Sequence, residues 1–369
     1  MDNSGRIPVG VLAATGAVGQ RFVQLLAGHP WFELREVVGS ERRAGQPYGQ
    51  VTEWRLPGGV PEDARGLIVR GPEEELASPI LFSALPAEAA GPVEERLARN
   101  GHAVFSNARN HRLDPDVPLI VPEINADHAA VLERQRRERG WSGTLVTNAN
   151  CSTIHLVLAL KPLQDVFGLE QVMVTTLQAL SGAGYPGVPS LDMLDNVVPY
   201  IGGEEEKMQV ETRKILGGYD DARGFVDAPI QVSATCTRVP VRDGHTESVS
   251  VRLGREAALD EVAAALREFT GPPQALGLPS APEHPIVVLD EPNRPQPVLD
   301  RDSERGMATV VGRLRPCPIL GVKFVLLGHN TIRGAAGASI LNAEQLLAQG
   351  LLPGLQIEAG APDVAVGVL

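Results

Sequence analysis

This 369-residue chain has few cysteines, a shortage of basic charge and no long apolar run, and each shortage excludes a class of protein. Its three cysteines, Cys151, Cys236 and Cys317, form no Cys-x-x-Cys pair and no disulfide framework. That usage fits a reducing cytoplasm, which is the expected compartment. Lys and Arg number 33 against 45 Asp and Glu, for a net charge of −12, and no basic run forms a nucleic-acid patch. No DNA or RNA partner is expected, and an anionic ligand would have to be met by local arginines, lysines and helix N-termini. No apolar run is long enough to span a bilayer, and the opening residues carry no signal-peptide core, so no membrane partner is expected. No internal repeat and no metal-ligand cluster stands out. What is present is ordinary globular material: 43% hydrophobic residues over a length comfortable for two domains.

Short apolar runs at 7–13, 34–40, 79–83 and 102–106 read as strands, with helices at 18–26 and 88–99 between them. Such alternation predicts an α/β unit with a doubly wound parallel sheet. From about residue 170 the strands lengthen and cluster, at 171–179, 230–240, 248–253, 309–315 and 321–327. Fewer helices separate them, which predicts a second, α+β unit with a mostly antiparallel sheet. Residues 331–348 read as a closing helix and 352–369 as a loose tail. The expected division is 1–150 with 331–350 in the first domain and 151–330 in the second.

The first strand runs into Ala13-Ala14-Thr15-Gly16-Ala17-Val18-Gly19 and then a helix. Gly16 lets the backbone approach a pyrophosphate, Gly19 lets the helix pack tightly, and the helix start offers free N–H donors. At the head of a βαβ unit this is a Rossmann-type dinucleotide loop, with Thr15, Gly16, Ala17 and Val18 as contacts. Where an NAD enzyme would place an acidic residue, this chain has Ser40-Glu41-Arg42-Arg43. Ser40, Arg42 and Arg43 suit a 2′-phosphate and hence NADP; a solvated charged turn is the alternative.

Asn148-Ala149-Asn150-Cys151-Ser152-Thr153 joins a strand at 143–147 to an apolar helix at 153–160. Asn150 and Ser152 are both good N-caps. A thiol at a helix start meets unpaired N–H groups and the positive end of the dipole, which favour the thiolate and nucleophilic chemistry. The alternative is a small buried residue packing the helix start.

These motifs come with Phe82-Ser83-Ala84-Leu85-Pro86, Ser106-Asn107-Ala108-Arg109-Asn110-His111-Arg112, Gln178-Ala179-Leu180-Ser181-Gly182-Ala183-Gly184, Arg238-Val239-Pro240-Val241-Arg242-Asp243-Gly244-His245-Thr246 and Asn330-Thr331-Ile332-Arg333-Gly334. Together, from residue 7 to about 348, the chain resembles the aspartate-β-semialdehyde dehydrogenase family, in the branch found in archaea, fungi and some bacteria. The resemblance implies NADPH-dependent reductive dephosphorylation of β-aspartyl phosphate to aspartate β-semialdehyde, in aspartate-family amino-acid biosynthesis. It implies Cys151 as nucleophile, His245 as acid/base and Gln178 as the residue orienting the acyl group. Arg238 would fork onto the substrate α-carboxylate, and Glu204 would hold its ammonium group. Lys207, Asn107 and Arg112 would meet phosphate. Ser83 and Ala84 join the cofactor contacts, and Ser181, Gly182 and Asn330 frame the nicotinamide. A homodimer or homotetramer is implied. Ala13 departs from the family, which usually has glycine there. A malonyl-CoA or other acyl-thioester reductase would keep the same cysteine and histidine and remains the alternative substrate class.

Overall fold

The structure is a computed structural model that describes residues 5–356. Its first sheet contains β1 (Ile7–Leu12), β2 (Phe32–Val38), β3 (Val69–Arg70), β4 (Ile80–Ser83), β5 (Ala103–Ser106), β6 (Leu119–Ile120) and β7 (Thr144–Asn148). They lie in the order β3-β2-β1-β4-β5-β7-β6 and pair in parallel throughout. The second sheet contains β8 (Leu169–Gln178), β11 (Gln231–Arg238), β12 (His245–Leu253), β13 (Ile286–Val288), β14 (Thr309–Cys317) and β15 (Gly321–Gly328), while β9 (Gly218–Asp220) and β10 (Gly224–Val226) form a separate hairpin. The longer helices are α1 (Ala17–Leu26), α2 (Ala87–Arg99), α3 (Val131–Arg139), α4 (Cys151–Phe167), α5 (Glu204–Ile215), α6 (Leu259–Arg267) and α7 (Gly337–Ala348).

Every residue of β4, β5 and β7 is buried, as expected of parallel strands covered by helices on both faces. Phe22, Val23 and Leu26 of α1 and Ile340, Ala343 and Leu346 of α7 pack with Val9, Val11, Phe82 and Phe105 on one face. Leu97 and Ala98 of α2 pack with Leu81, Val104 and Leu145 on the other. Each such aliphatic or aromatic side chain contributes roughly 1.5–3 kcal/mol by leaving water.

In β8 buried and open residues alternate, so the second sheet buries one face against α4 and presents the other outward. Its central pairings, β8–β12, β12–β15 and β15–β14, are antiparallel, whereas β11–β8 and β13–β14 at the edges are parallel. The antiparallel expectation thus holds for the centre of the sheet. The closing helix starts differently from the sequence expectation. Ile332–Ala336 winds as a wider π-helix before α7, and this brings Gly334 against Cys151. Leu352, expected in the loose tail, packs into the first core; residues 357–369 lie outside the described part.

The topology places the functional segments together. The order β2-β1-β4 reverses the winding direction at β1, and the crevice beyond such a switch point is where open α/β sheets take ligands. The glycine loop, Ala84, Asn107 and Cys151 all follow the carboxyl ends of β1, β4, β5 and β7.

Candidate active site

Cys151 is the first residue of α4, and Asn150 is its cap. The Asn150 Oδ1 accepts from the N–H groups of Ser152 and Thr153, at 3.0 and 3.2 Å. Ser152 is therefore inside the helix, and two of the helix-start donors are already satisfied. Burial pushes the Cys151 thiol up to about 12, with Glu204 adding to the rise and Arg238 and Arg112 opposing it. Burial thus works against the thiolate that the helix start favours.

Three neighbouring strands end beside Cys151, and one of them aims a side chain at its sulfur. Arg238 and Gln178 end β11 and β8 in register, and His245 opens β12 beside them. The His245 Nε2 lies 3.2 Å from Cys151 Sγ, and Nδ1 accepts the N–H of Ala179 at 3.0 Å. Since Nδ1 is an acceptor, the neutral ring carries its hydrogen on Nε2, facing the sulfur. Burial and then the Arg238 charge lower His245 to about 3, so it is neutral near pH 7. Arg238 donates to the Ala179 carbonyl at 2.7 Å. Ala179 therefore holds the catalytic candidate His245 and the substrate-binding candidate Arg238 through its two backbone groups, and nothing in its side chain signals this in the sequence.

Helix α5 covers the row. Glu204 Oε1 accepts from Asn150 Nδ2 at 2.7 Å and from Gln178 Nε2 at 3.0 Å, and its Oε2 accepts from Lys207 Nζ at 2.9 Å. Burial would raise this carboxyl, but the Lys207 charge and the hydrogen bonds from Lys207, Gln178 and Asn150 outweigh it and hold Glu204 at about 2. Glu211, which no sequence motif singles out, accepts the Asn150 N–H at 2.6 Å and pairs with Arg112 at 2.8 Å. Arg112 also donates to the Asn107 carbonyl at 2.8 Å, while its Nε is buried with no partner. Asn107 accepts from Asn148, which ties this corner to the turn leading into Cys151. Arg109 is exposed nearby.

The glycine loop lies across the crevice. Gly16 caps α1 without any side chain, leaving the N-terminus of this ten-residue helix free of side-chain caps. A Cβ on Gly19 would lie 2.2 Å from the Ala13 carbonyl oxygen, so only glycine allows the helix to start this close. Ala13 itself sits at φ 55°, in the left-handed region. Glycine occupies that region freely, and a methyl there costs about 1 kcal/mol or more. Arg43 reaches the loop and donates to Thr15 Oγ1 at 2.6 Å, while Ser40 and Arg42 are exposed beside it. An uncapped helix start, backbone free to approach and cations alongside fit a dinucleotide bearing an additional phosphate.

Other expected contacts lie in less direct places. Ser83 is fully buried, gives its hydroxyl to Glu94 at 2.6 Å and accepts the Asn107 side-chain amide on its carbonyl at 3.2 Å, so its side chain faces inward. Asn330 accepts the Gly244 N–H and donates to Ser181 Oγ, both at 2.8 Å, linking the segment before His245 to the loop at 180–184. Gly182 crosses directly over the row: a Cβ there would lie 2.9 Å from Arg238 Nη1 and 3.1 Å from His245 Cε1. Among the described residues, no group of His, Cys, Asp and Glu could hold a metal ion.

Comparisons with known proteins agree with this geometry. Residues 8–132 match the semialdehyde dehydrogenase NAD binding domain, and residues 160–333 match the semialdehyde dehydrogenase dimerisation domain. The aspartate-semialdehyde dehydrogenase of Methanothermobacter thermautotrophicus is 53% identical over 92% of this chain and 98% of its own length. That of Cryptococcus neoformans is 49% identical, over 94% of this chain and 98% of its own length. A crystal structure of aspartate semialdehyde dehydrogenase with NADP from Candida albicans superposes with a TM-score of 0.86 at 44% identity, covering 94% of this chain and 99% of the other. Identity at this level along almost the whole length, on this fold, establishes that the chain belongs to the aspartate-semialdehyde dehydrogenase family.

Proposed function

We propose that the chain catalyses the reversible, NADP-dependent reductive dephosphorylation of β-aspartyl phosphate to aspartate β-semialdehyde through a thioester on Cys151. The observation that carries this reading is the row of Cys151, His245 and Arg238 under α5, in a chain so similar to named aspartate-semialdehyde dehydrogenases. The Cys151 sulfur attacks the acyl carbon, and the phosphate leaves with the thiol proton, giving a thioester and hydrogen phosphate. When bound, NADPH supplies the hydride. The thioester carbon takes that hydride, and its oxygen becomes an oxyanion that meets the Nε2–H of His245. The sulfur then departs as thiolate, releasing the aldehyde, and takes a proton from solvent to regenerate the thiol. With His245 neutral and Ala179 on Nδ1, the acid/base role implied by the resemblance takes the form of donation from Nε2.

Arg238 pairs with the substrate α-carboxylate, Glu204 with its ammonium group, and Gln178 orients the acyl oxygen. Arg112, Asn107 and Lys207 surround the leaving phosphate. Thr15, Gly16, Ala17 and Val18 cradle the pyrophosphate, with Ala84 and the Ser83 backbone beside it. Ser40, Arg42 and Arg43 meet the 2′-phosphate; Ser181, Gly182 and Asn330 flank the nicotinamide. The division into 1–150 plus 331–350 and 151–330 is supported by α7 packing on the first sheet. A homodimer or dimer of dimers through the open face of the second sheet is supported by its exposed Met173 and Leu177 and by Leu191, Leu194 and Tyr200 in the neighbouring loop. Three free cysteines support a reducing, cytoplasmic location; no helix among the described residues is long and apolar enough to cross a membrane. The relatives named above do not favour the acyl-thioester alternative.

The test is an assay of the purified protein in the oxidative direction. NADP reduction should require both aspartate semialdehyde and inorganic phosphate. Coenzyme A-dependent oxidation of malonate semialdehyde at a comparable rate, with no response to phosphate, would overturn the substrate assignment.

A further inference from the structure

Helix α5 buries an ordinary apolar stripe, with Met208 and Ile215 in the core, and beside it a stripe of charge. Its positions 204, 207, 211 and 214 fall on one stripe at helical spacing, and that stripe carries Glu, Lys, Glu and Lys facing inward. Glu204, Glu211 and Lys214 are 6%, 2% and 5% exposed. Charges that deep persist only where each is paired and hydrogen-bonded. Lys214 meets this condition by donating to the carbonyl oxygens of Arg112, at 2.7 Å, and Val117, at 3.1 Å. Glu204 and Lys207 hold the substrate side of the row. Glu211, in the middle, splits its two oxygens between the nucleophile turn and the anion-binding corner: Oε2 takes the N–H of Asn150, the residue before Cys151, and Oε1 takes Nη1 of Arg112.

We propose that Glu211 is a positioning residue that sets the distance between Cys151 and the phosphate-binding guanidinium of Arg112. The inference rests on the proposed function for the identity of the anion, but the linkage itself is a matter of geometry. A carboxylate is the group that accepts from both sides at once, with charge-assisted bonds that are short and directional. With Nη1 on Glu211 and Nη2 on the Asn107 carbonyl, the guanidinium plane is held on two sides, and Nε has no partner. Lys214 holds the backbone of the same arginine, so one rigid helix fixes Arg112 at both ends and Asn150 between them.

The test compares E211A and E211Q with the wild type in the full-length enzyme. The readouts are the phosphate KM, the NADP KM, kcat and the rate of Cys151 alkylation by iodoacetamide at one fixed pH. A displacement of reacting groups by about 1 Å costs about 100-fold. E211A should therefore lower kcat/KM for phosphate by about that factor, through a raised phosphate KM and a lower kcat, change the alkylation rate and leave the NADP KM unchanged. In E211Q the remaining carbonyl oxygen still accepts from Asn150, so alkylation and kcat should return close to wild type. Its amide N–H groups face the donors of Arg112, so the phosphate KM should stay high. If E211A does not fold, E211Q decides through that split. An unchanged phosphate KM in E211Q, or phosphate and NADP KM rising together, overturns the proposal. If wild-type turnover needs no phosphate, the proposed function is what fails. Glu211 is then judged on alkylation alone, which supports the proposal if altered in E211A and restored in E211Q and overturns it otherwise.

Discussion

The glycine loop and the Cys151 row face one crevice but are built by different means. The loop is shaped by backbone: Gly16 supplies an uncapped helix start, Gly19 a close contact, and the nearby Ser40 and Arg42 stay in solvent. The Cys151 row is made of side chains, nearly all buried and each held in place: Asn150 by Glu204 and Glu211, Gln178 by Glu204, and His245 and Arg238 by the backbone of Ala179. A backbone site tolerates changes to peripheral side chains, because its donors are main-chain groups. A wired row of buried charges does not, because removing one partner leaves another charge unpaired.

That contrast can be broken by substitutions on either side. The largest expected effect is in the row: Arg238→Ala should lower kcat/KM for aspartate semialdehyde by about 2–5 kcal/mol, the usual cost of truncating a buried charge pair. A loss under tenfold would mean that Arg238 faces no substrate carboxylate. On the loop side, Gly19→Ala forces backbone atoms of Ala13 and Ala14 apart and should cost about 1–3 kcal/mol, read as a higher NADPH KM and a lower Tm. An unchanged KM would show that the loop does not depend on that contact. The smallest effect belongs to the flanking charges: Arg42→Ala with Arg43→Ala should weaken NADPH by about 1 kcal/mol and NADH by less, through the lost Arg43–Thr15 bond. Equal losses for both cofactors would place these arginines away from the 2′-phosphate.

The sequence made the two regions legible to different depths, for the same reason. The loop announces itself because glycine spacing is a backbone signal, and β1 and α1 fall within a residue or so of where periodicity puts them. Cys151 and His245 are legible through their motifs. The wiring is not. Glu211 sits among ordinary charged helix residues, and only its spacing of seven from Glu204, with the helix packed over the row, makes it internal. Ala179 acts through its N–H and C=O, which leave no trace in residue type. Strands of two or three residues, such as β3, β6 and β13, are too short to show a period, and their pairing comes from the sheet around them. A helix start favours the Cys151 thiolate, whereas burial and Glu204 oppose it, and these two come from parts of the chain far from Cys151 in sequence.

The central claim is that Cys151 carries the acyl group, and it can be tested without steady-state kinetics. The enzyme is mixed with NADP and aspartate semialdehyde in phosphate-free buffer, the NADPH formed is followed, and the protein is then digested for mass analysis. We expect a burst of one NADPH per active site, an aspartyl adduct on the peptide that contains Cys151, its discharge when phosphate is added, and neither burst nor adduct in Cys151→Ser. A burst that persists in Cys151→Ser, or an adduct on any other residue, would contradict the account.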